Sequence, residues 1–445
     1  MPMSGAEPLP FTIRRARVPT ALLPAALASG PSNIFDPAVL CDLTIAAGKI
    51  SKVQVSDLPH GTVASDFDAA GRLVFPAFVD AHTHLDKAHT WCRAPNRSGT
   101  FMEAIASLDH DMQHQTPADL RFRGDFALRC AWAHGTRVVR THIDSTQNGA
   151  EARHTVMAEL RRDWQDRIIL QTVSLCLGAD YAGPQGERIS DIAVRNGASA
   201  LGGFLVMSSE LPHQIDRMIA IARERRVGLD LHVDENGDSA SECLRAVAEG
   251  VLRHQFNQPV VCGHCCSLAV QPANRQHETI ALVKTAGIGV IALPLCNLHL
   301  QDRRPLSGPR APQWRGVAPV LDLLAAGVPV ACASDNVRDA FYPYGDLDAF
   351  EVYQQSVRIA HLDADLAASV RVVTATAAEL VGRPEYGRVA PGAPAHLVVF
   401  EARSFSELLS RPGMARHCVD GEVVRTLPVP DFAELQAAGL MTFTP

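Results

Sequence analysis

The chain has 445 residues, 47% of them hydrophobic and 20% charged, with a formal net charge of −7. That length exceeds the usual single domain but suits an α/β barrel carrying attachments. A mildly acidic chain offers no electrostatic footprint for nucleic acid or an anionic membrane, so the expected partner is a small, neutral substrate.

The chain opens on "FTIRRARV", which alternates like a strand. The stretch "IRRARVPTALLPAALASG" (residues 13–30) also has the basic-then-apolar order of a signal peptide. Pro19, Pro24 and the polar residues before the arginines favour a strand leading into an irregular loop. No run approaches the ~18 unbroken apolar residues of a membrane helix. The 11 cysteines include several inside apolar runs such as "VVCGHCC" and "PVACASD". They read as core thiols of a reducing, cytoplasmic compartment, including Cys262 and Cys265 of the single CxxC.

From residue 73 onward, short Val-, Ile- and Leu-rich runs alternate with helical segments. The predicted strands cover residues 73–81, 136–142, 166–174, 200–206, 227–233, 259–264, 288–294 and 328–334. They are apolar on both faces, as strands covered on both sides are. Between the fourth and fifth, Ile215, Met218, Ile219 and Ala222 form a helical stripe, and the helix in "VAPVLDLLAAG" closes on Gly327. Eight strands separated by helices predict a (β/α)8 barrel over residues 73–386. A doubly wound sheet is the rival fold, but no GxGxxG follows any strand. Residues 1–72 and 387–445, with "CDLTIAAGKISKV", "AHLVVF" and "CVDGEVVR", are each too small for a core of their own. Together they are expected to form one β-sandwich beside the barrel.

Chemistry concentrates at the strand ends. "DAHTHLDKAH" (residues 80–89) closes the first strand, and alternation puts His82 and His84 on one face, toward the barrel mouth. The fifth strand closes on His232 and Glu235, the sixth on His264 and the eighth on Asp335. Four such strand ends at one rim are hard to assign to packing, because buried imidazole and carboxylate are costly without partners. His142, at the end of the second strand, also faces the rim, and a supporting role behind these residues or a capping role is an equal reading. Lys87 and His89 follow the histidine pair and are expected to be solvated loop residues.

These motifs, with "GRLVFPAFVDAHTHLD", "LPLCNLHLQDR", "ASDNVRDAFYPYGD" and "GRVAPGAPAHLVVF", resemble the amidohydrolase superfamily and its cytosine deaminase-like branch over nearly the whole chain. The resemblance implies one divalent metal ion per chain, Zn²⁺ or Fe²⁺, held by His82, His84, His232 and Asp335. Relatives with two ions carry a bridging Lys after strand four, where this chain reads "GGFLVMSS". The resemblance further implies that Glu235 carries a proton to a ring nitrogen, while His264 and Asp335 orient the nucleophile and serve the departing amine. It implies hydrolytic deamination of a cytosine-like base, 5-methylcytosine among them.

Three positions depart from the cytosine pattern. Leu177 replaces a Gln that reads the pyrimidine amide edge, Asn336 replaces an Asp, and Phe341 replaces a Trp of the pocket. Leu177 suits an apolar substituent, and Asn336 offers both a donor and an acceptor. The "SDN" also resembles enzymes that remove alkylamines from hydroxylated triazines, which is the alternative substrate reading. A catalytically silent barrel is the alternative outside enzymes, but every ligand position is filled. Nucleic-acid-editing zinc deaminases need a P-C-x-x-C, absent here. No surface stripe announces an interface, and association into a homo-oligomer is compatible with the sequence.

Overall fold

The computed structural model describes residues 11–28, 33, 35–56, 66–145, 149–303, 308 and 310–439. Its first strands are β1 (Phe11–Pro19), β2 (Ala38–Ala46), β3 (Lys49–Val55) and β4 (Phe67–Asp68), in the sheet order β3-β2-β1-β4. Residues 13–19 of the stretch with signal-peptide character therefore belong to a paired strand, with Ile13 and Val18 fully buried. Residues 29–32 lie outside the described residues.

β5 (Val74–Pro76) and β6 (Phe78–Thr83) divide the segment expected as one barrel strand. β5 pairs antiparallel with a C-terminal strand, and β6 enters the barrel. The break falls where Pro76 has no N–H to extend the ladder. At Ala77 the N–H bonds back to His396, while that of Phe78 reaches forward to Gly135. The chain thus crosses from terminal sheet to barrel at Ala77, a few residues later than the boundary drawn from composition.

The barrel continues through β7 (Thr136–Asp144), β8 (Ile169–Leu175), β9 (Ala200–Phe204), β10 (Gly228–Val233), β11 (Val260–His264), β12 (Gly289–Ala292) and β13 (Val330–Cys332). Together with β6 these eight strands form one parallel sheet in chain order. A bridge between Thr83 and Asp335 closes it. Their side chains are buried almost without exception, as the doubly apolar runs required. Helices such as Leu211–Arg225 and Cys243–His254 pack outside the strands.

β14 (His396–Phe400), β15 (Arg416–Asp420) and β16 (Val423–Arg425) complete the second terminal sheet, ordered β16-β15-β14-β5. The two four-stranded sheets are stitched by the Lys49–Pro394 and Arg17–Leu73 bridges. Ile13, Leu43, Phe75, Val398 and Phe400 share one buried cluster, so both chain ends feed a common core. Among the described residues no helix is long and apolar enough to cross a membrane. All eleven cysteines are free and buried.

Candidate active site

β6, β10, β11 and β13 deliver the polar residues to one end of the barrel. Three of these deliveries use a left-handed backbone kink: Asp234 (φ 54°), His264 (φ 68°) and Asp335 (φ 63°). Such conformations cost of order 1–3 kcal/mol each and persist where surrounding contacts hold them. Asp234 shows how this is done. Its carboxylate accepts from Cys243 and Leu244 N–H at 2.8 and 2.9 Å and from the Ser241 hydroxyl at 2.8 Å, which fixes the loop carrying Glu235.

The imidazoles of His82, His84 and His232 converge. His232 Nε2 lies 3.1 Å from His82 Nε2 and 3.3 Å from His84 Nε2, and Asp335 Oδ1 lies 3.3 Å from His84 Nε2. Gly263 makes room, since a Cβ there would come within 3.1 Å of the His82 ring. Burial and the neighbouring cationic groups and imidazoles hold these three rings well below the ordinary imidazole pKa, so they are neutral. Neutral rings facing one another nitrogen to nitrogen cannot all satisfy one another. Asp335 adds a carboxylate, 1% exposed, with no nitrogen or oxygen donor bonded to either oxygen.

A cation at the centre resolves this. Tetrahedral nitrogen ligands at about 2.1 Å from Zn²⁺ stand about 3.4 Å apart, close to the spacing here. Nitrogen and carboxylate donors suit a divalent transition ion, Zn²⁺ and Fe²⁺ alike. His82, His84 and His232 thus form one donor set that fits a divalent cation, and Asp335 adjoins it through His82 and His84.

Beside them, Glu235 Oε1 lies 3.3 Å from His264 Nδ1, and Asn297 Nδ2 stands 3.3 Å from Oε1 and 3.1 Å from that ring nitrogen. Burial first, then the Asp335 charge, raises the Glu235 carboxyl well above the usual carboxylate range. Burial also raises Asp335 and pushes His264 down to about 3.

Above this floor is a cavity of about 400 Å³. Leu177, Asn336 and Phe341 all line it, as do Glu235 and His264. Leu177, 49% exposed, sits at the rim. Asn336 is held by Asp339, to which its amide donates at 2.7 Å. Phe101 stacks on Phe204 with ring centroids 5.9 Å apart and meets Phe341 edge-on at 5.8 Å, giving the cavity aromatic walls.

Two expectations are overturned. Lys87 and His89 are not solvated: each is 4% exposed. Lys87 lines the cavity 5.5 Å from the Phe341 ring. Its burial opposes the charge, but Asp86, Asp144, Asp339 and Asp335 more than compensate and raise its pKa. His89 packs edge-on against Phe126. The loop after β6 is thus covered by other strand ends and by the helix Pro117–Ala133, whose Arg123 donates to the Asp86 and Ala88 carbonyls. His142 lies behind the cluster, its ring 4.0 Å from that of His82 and its Nε2 3.6 Å from Asp230. Asn297 and the helix Phe101–Met112 over the cavity were not found from sequence; neither carries a charge pattern that marks it.

The amidohydrolase family model matches residues 67–124 and 131–426. The chain belongs to the amidohydrolase family. It is 42% identical to a pterin deaminase of Rhizobium rhizogenes over 97% of this chain and 98% of that one. An N-isopropylammelide isopropyl amidohydrolase of a Pseudomonas species is 23% identical, over 82% of this chain and 88% of its own length. Among solved structures, the 5-methylcytosine deaminase of Klebsiella pneumoniae with 5-fluorocytosine superposes with a TM-score of 0.81 at 26% identity, covering 93% of this chain and 96% of that one. The protein is a hydrolase of carbon–nitrogen bonds, and deamination of a heterocycle is the activity its relatives support.

Proposed function

We propose that this amidohydrolase deaminates a bicyclic amino-oxo heterocycle of the pterin type, releasing ammonia. The observation that carries this reading is the cavity: about 400 Å³, with Phe101, Phe204 and Phe341 as walls and the histidine cluster at its floor. A fused aromatic pair of rings fills such a slot better than one pyrimidine ring. Leu177 supports it too, presenting an apolar surface where a cytosine site needs an amide. The pterin deaminase relative, far more similar than the 5-methylcytosine enzyme, points the same way.

His82, His84, His232 and Asp335 would hold the metal ion. When bound, such an ion lowers the pKa of water toward ~7 and supplies the nucleophile at neutral pH. Glu235, buried and steadied by Asn297, takes a proton and delivers it to the ring nitrogen next to the carbon under attack. Charge that would build on that nitrogen is thereby cancelled. His264 and Asp335 orient the attacking oxygen, and a proton passed through Asp335 lets the amine leave as ammonia. Lys87 presents a buried positive charge from the cavity wall to an electronegative edge of the substrate. The balance is one water consumed, one C–N bond broken and one C–O bond formed.

A second reading is favoured by Asp335-Asn336 and by the N-isopropylammelide relative: the leaving group is an alkylamine. One experiment separates them. Metal-quantified protein is assayed for ammonia with pterin, cytosine, 5-methylcytosine and isocytosine, and for alkylamine with N-isopropylammelide. Turnover of pterin at least tenfold above the pyrimidines is expected. Turnover of cytosine alone, or of the triazine alone, overturns the bicyclic reading.

A further inference from the structure

A second set of ligand atoms sits beside the first. Glu235, Cys296 and Asp335 each place one donor atom within 4.8 Å of the others'. Cys296 is fully buried on the helix Pro294–Leu300, next to Asn297. Its thiol meets Asn336 Oδ1 at 3.7 Å and also faces the Asp335 carboxylate. Asp335 supplies the independent observation: at 1% exposure its carboxylate oxygens have no nitrogen or oxygen hydrogen-bond donor, and the group they face is the Cys296 thiol. One oxygen lies 3.3 Å from His84 Nε2, on the side of the imidazole cluster, and the carboxylate has a second to offer.

The geometry points to an inhibitory site for a second, soft divalent cation, made by Glu235, Cys296 and Asp335. Carboxylates commonly bridge two ions about 3.5–4 Å apart. A thiolate selects soft ions, whereas imidazole and carboxylate alone do not. Binding releases the thiol proton to solvent and keeps the Glu235 carboxylate on the cation, where it can no longer carry a proton to substrate. The device makes the enzyme sensitive to an excess of zinc-like ions while one resident ion supports turnover. It differs from the two-ion sites that use a Lys on strand four, because its ligands come from the ends of β10 and β13 and the helix after β12. It rests on the reading of the imidazole cluster as the resident ion's site, but its test has a signal of its own.

Cadmium(II) is the probe. Protein carrying one resident ion is titrated with cadmium chloride while metal content, turnover and the ultraviolet thiolate-to-cadmium charge-transfer band are followed. A second ion per chain is expected, with the band rising as turnover falls, and zinc chloride should compete the band away. Cys296→Ser and Cys296→Ala should keep basal turnover, lose the band and raise the cadmium needed for half inhibition by about tenfold or more. The proposal is overturned if both variants keep the band, or if cadmium merely replaces the resident ion and the count stays at one. A band dependent on Cys296 in protein that retains no ion on the imidazoles would instead overturn the resident-ion reading and leave the thiolate site standing.

Discussion

The backbone N–H of Asp335 donates to the carbonyl of His82 at 2.9 Å, joining the end of the last barrel strand to the end of the first. Ser334 repeats the tie, its N–H donating to Asp80 Oδ1 at 3.0 Å. Barrel closure and assembly of the candidate metal site are therefore one event: the carboxylate reaches the imidazoles only when the sheet shuts. Asp335→Ala and His82→Ala are expected to lose metal and turnover together, with metal affinity reduced by more than the ~10–100-fold typical of outer-shell changes. Metal analysis after dialysis, with circular dichroism to verify the fold, checks this. An Asp335→Ala protein that keeps a full equivalent of metal would remove Asp335 from the ligand set.

Glu235 is separable from the metal. Glu235→Gln keeps the hydrogen-bonding shape but not the acid–base function, so metal should stay bound while kcat falls by about 10²–10⁴. The expected split is an unchanged metal count and a near-unchanged KM. Full activity in this variant would rule out the proton-carrying role.

Much of this arrangement was legible in the letters. Strand ends could be read because doubly apolar runs stop abruptly at His232, His264 and Asp335, and the HxH pair is local. The terminal sheets were legible as alternation, but the seam at Pro76–Ala77 was not, since an unbroken apolar run hides a change of partner sheet. Lys87 and His89 were misread for a related reason. Their burial depends on Asp144, Asp339 and Arg123, which lie far along the chain, and a short sequence window cannot show what covers a loop. Asn297 stayed hidden because an uncharged amide on a short helix has no periodic signature.

Lys87 carries a stability cost that its position makes measurable. The Asp86, Asp144 and Asp339 charges raise its pKa against burial, so Lys87→Met removes a buried positive charge that favours those carboxylates. A loss of about 1–3 kcal/mol in unfolding free energy is expected, the ordinary range for a buried substitution that removes a compensating charge. Urea denaturation measures it. A loss below ~1 kcal/mol would mean that the carboxylates are compensated elsewhere.

His134 links the barrel to the C-terminal sheet and should titrate in a useful range. Its Nε2 lies 2.8 Å from Asp346 and its Nδ1 3.6 Å from Asp348, while Arg416 of β15 bonds both the His134 carbonyl and the Asp348 carboxylate. Burial opposes protonation, but the Asp348 charge and the Asp346 bond outweigh it, so the pKa is raised. A raised value in the folded state means that stability is fully present below the unfolded value near 6.5 and is lost as pH climbs through the folded one. His134→Gln should therefore cost about 1.5–3 kcal/mol near pH 6 and markedly less near pH 9. Thermal melts at both pH values test this, and a gap that widens with pH would reverse the assignment.

The aromatic walls give the sharpest test of substrate size. Phe204 stacks on Phe101 at an interplanar angle of 19°, and both line the cavity with Phe341. Phe101 sits at the start of a helix capped by Thr100, so it is held on a regular element. Phe204, at the end of β9, is anchored by its N–H to the Cys176 carbonyl at 2.8 Å. A ring stacked against such a wall gains about 1–3 kcal/mol, so Phe204→Ala should raise KM for pterin by about 5–150-fold with a smaller effect on kcat. The second ring of a bicyclic substrate is what reaches the walls in this reading. A monocyclic base, seated over the histidines, should lose far less. Steady-state kinetics on pterin and cytosine with the same variant decide it: an equal loss on both would mean that Phe204 shapes the floor of the site rather than its reach, and the bicyclic assignment would lose its physical basis.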